Sequence, residues 1–118
     1  MPRRAAPPVA VASPPELEAF LAMLVAERNA AIHTRAAYTR DLRDAQAFLA
    51  RRQRLLAEAS TDDLHAYLQS LSRQAAATQA RRLSALRQFY QFLCSEQRRA
   101  DDPTRELSAP KRGRALPK

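Results

Sequence analysis

Four stretches of this chain carry apolar residues three and four positions apart, and no useful length alternates with period two. Such spacing lines one face of an α-helix and argues against a sheet. Leu17, Phe20, Leu21, Leu24 and Val25 mark the first stretch, and Tyr38, Leu42, Ala45 and Leu49 the second. Leu64, Tyr67, Leu68 and Leu71 mark the third, and Leu83, Leu86, Phe89, Tyr90 and Leu93 the fourth. Short polar joints between them predict a compact all-α four-helix bundle over residues 13–107, enough chain for one modest core.

Local signals set the expected boundaries. Ser13 is placed to cap the first helix, with Pro14 at its first position and Glu16 completing a capping box. Thr34 is expected to cap the second helix, which ends on the cations Arg51, Arg52 and Arg54. Ser60-Thr61-Asp62-Asp63 reads as a second capping box, and the joint Ser72–Ala77 leads to a fourth helix opening at Thr78. Asp102-Pro103 disfavours further helix, and Leu107 is the last expected core residue.

The flanks read differently. Residues 1–12 form a weakly basic segment expected to be a disordered tail; Pro7 and Pro8 interrupt its apolar run, against an export signal despite Arg3-Arg4. Residues 108–118 hold two prolines, the sole glycine (Gly113) and four bases, the composition of an extended linker that continues to another domain. One glycine leaves no phosphate-binding loop or dinucleotide fingerprint. One cysteine, Cys94, leaves no internal disulfide and fits a reducing cytoplasm. No apolar run approaches the roughly 18 residues that cross a bilayer.

Charge supplies the functional signal. The formal net charge is +8, from 20 basic and 12 acidic residues. The excess is concentrated in residues 77–100, which carry five arginines and one acid, whereas residues 57–76 are mildly acidic. A helical wheel puts Arg40, Arg43 and Arg51 opposite the second apolar stripe, with Arg35 at its edge. On the fourth helix it puts Arg81, Ser84 and Gln88 outward and Arg82 and Arg87 at the flanks. Arginine neutralises phosphates and pairs with guanine, and glutamine pairs with adenine, so two such faces suit duplex DNA. They suit RNA, an acidic protein or an anionic surface by the same charge, although the apolar stripes look committed to a core rather than a membrane.

No catalytic constellation emerges. His33 and His65 are the only histidines and lack metal-ligand spacing; Cys94 has no histidine nearby in sequence. Tyr38, Tyr67 and Tyr90 fall on apolar stripes and read as core, Asp62-Asp63 and Asp101-Asp102 as caps. No metal or cofactor is expected.

Two passages go further. His33-Thr34-Arg35-Ala36-Ala37-Tyr38-Thr39-Arg40-Asp41-Leu42 has the form T-x-x-x-Y-x-x-x-L. The other runs from Arg81 through Leu93, then Asp102-Pro103, Ser108-Ala109-Pro110-Lys111 and Leu116-Pro117-Lys118. Together they resemble the N-terminal core-binding domain of Xer-type tyrosine site-specific recombinases, over roughly residues 16–118. The Arg99–Pro103 stretch is nearer to the XerD branch than to XerC. The resemblance implies a SAM-like bundle forming half of a clamp around duplex DNA. Helices matching those that begin near Thr34 and Thr78 would lie across the major groove, and a linker would lead to the catalytic domain. That domain carries the nucleophilic tyrosine of the family, so Tyr38, Tyr67 and Tyr90 are not candidates.

On this resemblance Thr34, Arg35, Thr78, Arg81 and Arg82 are expected DNA contacts, and Lys111 and Arg112 backbone contacts of the passing linker. Arg40, Arg43 and Gln88 are added from the wheel alone. The implied partners are duplex DNA and a second Xer recombinase in a tetrameric synapse, with no membrane. The implied parent activity is recombination that resolves chromosome dimers at cell division. Two alternatives stay open: a helical adaptor for an acidic protein, and a truncated, non-catalytic regulator of recombination.

Overall fold

A computed structural model describes residues 14–27 and 32–108. Four α-helices follow in order: α1 Pro15–Ala26, α2 Ile32–Arg51, α3 Thr61–Ser70 and α4 Ala76–Ser95, with a 3-10 turn at Leu56–Glu58 before α3. The described residues contain no strand, and the all-α bundle expected from periodicity is the fold observed. The expected N-terminal tail, the Ser13 cap and linker residues 109–118 lie outside the described residues.

Pro15 occupies the first position of α1, where a missing N–H costs nothing, and Glu16 and Glu18 sit at the positive end of its dipole. Pro14 occupies the cap position without a side-chain hydrogen bond. Leu17, Phe20, Leu21 and Leu24 are buried as their spacing requires, but Val25 is 68% exposed and does not join the stripe. It lies one residue from the end of α1, where the chain departs from the core.

α2 begins at Ile32, so Thr34 lies inside the helix rather than capping it. Its other end closes with Arg54 N–H on the Leu49 carbonyl at 2.9 Å and Gln53 N–H on that of Ala50 at 2.9 Å. This is a Schellman stop, in which Gln53 takes the left-handed conformation usually given to glycine, with φ 63°. α4 stops the same way: Arg98 N–H reaches Leu93 at 2.9 Å, Gln97 N–H reaches Cys94 at 3.1 Å, and Gln97 has φ 59°.

The capping box of α3 forms as read. Asp63 N–H donates to Ser60 Oγ and Ser60 N–H to Asp63 Oδ2, both at 3.0 Å. α4 opens earlier than expected, at Ala76 after Ala75, which leaves Thr78 within its first turn. Asp102 accepts the Thr104 N–H at 2.8 Å, shaping the turn that returns Leu107 to the core.

α2 packs against α1, α3 and, most extensively, α4. Phe20 meets Phe89 edge-on at 5.6 Å, and Leu42, Leu49, Leu86, Leu93 and Tyr90 are fully enclosed. Each such side chain contributes about 1.5–3 kcal/mol through loss of apolar surface from water. Two polar groups fix the 3-10 turn within this core: Leu56 N–H donates to Gln46 Oε1 at 3.1 Å, and the Tyr90 hydroxyl donates to the Leu56 carbonyl at 2.6 Å.

Candidate nucleic-acid interface

The helix pair that carries most of the expected contacts, α2 and α4, is joined by a polar seam. Asp41 of α2 is 2% exposed. Such a carboxylate requires a hydrogen-bonded cation, since a buried unpaired charge is costly. Arg81 of α4 meets it with two parallel bonds, Nε to Oδ2 at 2.8 Å and Nη2 to Oδ1 at 2.7 Å. These bonds raise the Arg81 pKa, Asp41 being the principal cause. One residue on, Arg82 donates through Nη1 to Asp44 and to the Tyr67 hydroxyl, and Tyr67 donates to Asp44 Oδ2 at 2.8 Å. Burial first, then Asp44, pushes the Tyr67 phenol well above its ordinary value against the pull of Arg82, so it stays a neutral donor. Arg82 Nε is enclosed without a hydrogen bond, 3.6 Å from Asp41 Oδ1, a distance that keeps the attraction but forms no bond.

These contacts correct the wheel reading of α4. Ala85 is buried together with Leu83, Leu86, Phe89, Tyr90 and Leu93, so the inward sector is wider than the expected stripe. Arg82 falls within that sector and Arg81 at its edge, which turns both guanidiniums toward α2 instead of outward. Arg81 keeps 40% of its side-chain surface exposed and Arg82 only 18%. Arg87, expected at a flank, is half-buried and donates to the Leu107 carbonyl, tying the end of the described chain to α4.

The other expected contacts separate by environment. Arg40 and Gln88 are exposed, and Ser84 lies on the same exposed sector of α4 as Gln88. Thr34 is exposed near the start of α2 and Thr78 is half-buried near the start of α4. Arg35 is half-buried and donates to the Val25 carbonyl at 3.2 Å, satisfying one of the open carbonyls at the end of α1. Arg43 is exposed and lies 3.3 Å from Glu18, both side chains half open to water, where an ion pair is worth little. Arg51 is exposed, 5.8 Å from the centre of the Phe48 ring. Lys111 and Arg112 lie outside the described residues.

Along the outer sectors of α2 and α4 the structure therefore carries Arg40, Arg43, Arg51, Ser84 and Gln88, with Asp41 turned inward and Asp44 at the flank against Arg82. That surface offers donors to phosphate and base edges; Asp44, about half exposed, is engaged by Arg82 and Tyr67, and Glu18, also half exposed, faces Arg43. Elsewhere the acids Asp63 and Asp101 are matched by arginines. Asp62 is exposed, and Asp63 is held by Arg52 at 3.5 Å and Arg54 at 3.3 Å. Asp101 is paired with Arg99 at 2.9 Å.

The remaining candidates for chemistry have ordinary roles. His33 and His65 are exposed, and no cluster of metal-ligating side chains occurs among the described residues. Cys94 is a half-buried free thiol that donates to the Asp101 carbonyl at 3.4 Å. Tyr67 and Tyr90 are buried, and Tyr38 packs half-buried against the core. No described helix is long and apolar enough to cross a membrane. Periodicity did not reveal Asp41 and Asp44, whose partners lie 23 to about forty residues away. The available signal was an acid one step from Leu42 on the edge of an apolar stripe.

Comparison with known proteins gives concordant matches. Residues 17–97 match the family described as phage integrase, N-terminal SAM-like domain. The chain is 57% identical over 104 residues to tyrosine recombinase XerD of Rhizobium meliloti, covering 86% of this chain and 33% of that protein. It is 56% identical over 104 residues to tyrosine recombinase XerD of Agrobacterium fabrum, covering 86% of this chain and 31% of that one. For tyrosine recombinase XerD of Caulobacter vibrioides the identity is 48% over 103 residues, with coverages of 86% and 34%. The chain thus spans about a third of the length of these relatives. No solved structure matches it.

Proposed function

This chain belongs to the phage integrase N-terminal SAM-like domain family, with a XerD-type sequence, and from that premise we propose that it binds duplex DNA as the N-terminal clamp half of a tyrosine recombinase. The folded unit is residues 13–107, preceded by a tail over 1–12 and followed by a linker over 108–118 that leads to the catalytic domain. The 118 residues do the binding and positioning. Strand cleavage through a 3'-phosphotyrosyl link falls outside them in this reading. The whole protein would perform site-specific recombination in the cytoplasm, resolving chromosome dimers with a second Xer recombinase in a tetrameric synapse.

The observation that carries the reading is the pair of exposed basic and polar sectors on α2 and α4, two helices that pack against each other. Arg40, Ser84 and Gln88 are open to solvent there, and of the two acids of α2 Asp41 is buried on a guanidinium and Asp44 is held by Arg82. Thr34, Arg40, Arg43 and Gln88 would reach the duplex directly. Arg35, Thr78, Arg81 and Arg82, half-buried, would contribute at its edge, and Lys111 and Arg112 would follow the backbone.

Anisotropy titration of the chain with short duplexes at several salt concentrations tests the reading. Counterion release predicts a linear fall of log affinity with log salt, with a slope near −0.9 for each phosphate neutralised and about three phosphates or more in all. Absence of binding in low salt, or affinity indifferent to salt, overturns it. An acidic protein partner with no response to duplex would favour the adaptor reading instead.

A further inference from the structure

We propose that Asp41 is a positioning residue for DNA recognition: it locks the Arg81 guanidinium in one orientation so that the donors left over present a rigid edge to the duplex. The proposal rests on the DNA-binding reading above. An arginine has five N–H donors. Two are held by Asp41 at 2.8 and 2.7 Å, and the other three make no hydrogen bond among the described residues, although the side chain is 40% exposed. Asp41 itself is 2% exposed, so it is withdrawn from the polyanion while its bonds fix the fork.

The neighbouring groups reinforce the lock. Arg82 lies 3.6 Å from the same carboxylate and is anchored on its other side by Asp44 and Tyr67, so Asp41 cannot turn toward solvent without leaving two cations behind. Ser84 and Gln88 follow Arg81 by three and seven residues along the exposed sector of α4. The orientation of Arg81 therefore sets the first donor in a row of three. Preorganised donors bind with less loss of side-chain freedom than mobile ones, and a planar fork discriminates between acceptors as a point charge does not.

Positioning and simple charge predict different outcomes for one substitution, a lowered ratio of affinities and an unchanged one. Asp41→Asn removes a negative charge beside a polyanion, so a role limited to charge predicts tighter binding to every duplex. A positioning role predicts weaker discrimination. The test measures the affinity of the full chain for a duplex selected from a randomised pool and for a scrambled duplex of the same composition. Circular dichroism and thermal melting are followed for each variant.

We expect Asp41→Asn to lower the ratio of the two affinities about tenfold or more, the scale of one bidentate contact. Arg81→Lys, which keeps the charge and loses the fork, should do the same with an unchanged salt slope and a folded melt. Asp62→Asn, an equal change of charge at an exposed site, should leave the ratio as in the wild type. Should Asp41→Asn fail to fold, Arg81→Lys decides. A ratio retained in either folded variant overturns the proposal while duplex binding stands. Failure of the wild-type chain to bind any duplex overturns the underlying reading instead.

Discussion

Arg81 and Asp41, forty residues apart in sequence, form a two-bond ion pair that joins α4 to α2, with the carboxylate enclosed and the guanidinium part open. The pair gives Arg81 a structural duty in addition to any DNA contact. Removing it with Arg81→Ala would leave Asp41 buried against Arg82 at 3.6 Å alone. Breaking a buried pair costs about 3–5 kcal/mol, and the exposure of Arg81 together with this second cation reduces that to roughly 2–3 kcal/mol. Urea denaturation of the variant should show that loss. A change within 0.5 kcal/mol would mean that the pair is not needed to hold the helices together.

Arg40→Ala and Gln88→Ala should leave stability within about 0.5 kcal/mol, because both side chains are exposed. Their effects on DNA should differ. Loss of Arg40 should weaken binding to all duplexes alike and reduce the magnitude of the salt slope by about one. Loss of Gln88 should lower discrimination between selected and scrambled duplexes by about 1–3 kcal/mol with the slope unchanged. Paired anisotropy titrations over a salt series separate the two.

Gln53 and Gln97 terminate α2 and α4 in the left-handed conformation, which disfavours a side chain with a Cβ by about 1–2 kcal/mol. Gln53→Gly should therefore stabilise the fold by about 0.5–1 kcal/mol, part of the gain being offset by the greater freedom of glycine in the unfolded chain. A raised melting temperature checks it, and Gln97→Gly should act in the same direction.

Asp63 supplies the pH dependence. Burial alone would favour its neutral form, but the hydrogen bonds from the Ser60 N–H and hydroxyl, followed by Arg54 and Arg52, outweigh it and hold the carboxyl below its ordinary value. A carboxyl with a depressed folded pKa contributes in full above its unfolded value, about 3.9, and loses that contribution as pH falls through the folded value. Asp63→Ala should cost about 1–2 kcal/mol at neutral pH as the cap is lost. The difference from wild type should narrow on acidification below about pH 4 in urea melts across pH.

The four helices were legible because each buries a face whose residues are near neighbours in sequence, and the Ser60–Asp63 cap because all its groups lie within four residues. Val25 was misread because it continues the period of α1 past the point where that helix leaves the core. Thr34 was a plausible cap and Thr78 a plausible start, yet α2 begins two residues before Thr34, and α4 begins at Ala76 behind Ala75 with no side-chain cap. At α4 the extension follows from Ala76 and Ala77, residues with the highest helix propensity. The outward placement of Arg40 and Gln88 was legible from the wheel, but the inward turn of Arg81 and Arg82 was not. Their orientation depends on Asp41, Asp44 and Tyr67, residues of other helices that no local pattern connects to them.

The most direct measurement follows backbone amide shifts of the isotopically labelled chain as a short duplex is added in low salt. The account predicts the largest changes along the outer sectors of α2 and α4, around Arg40, Ser84 and Gln88, with Asp62 and His65 on α3 unmoved. Shifts gathered on α3, or none at saturating duplex, would contradict it.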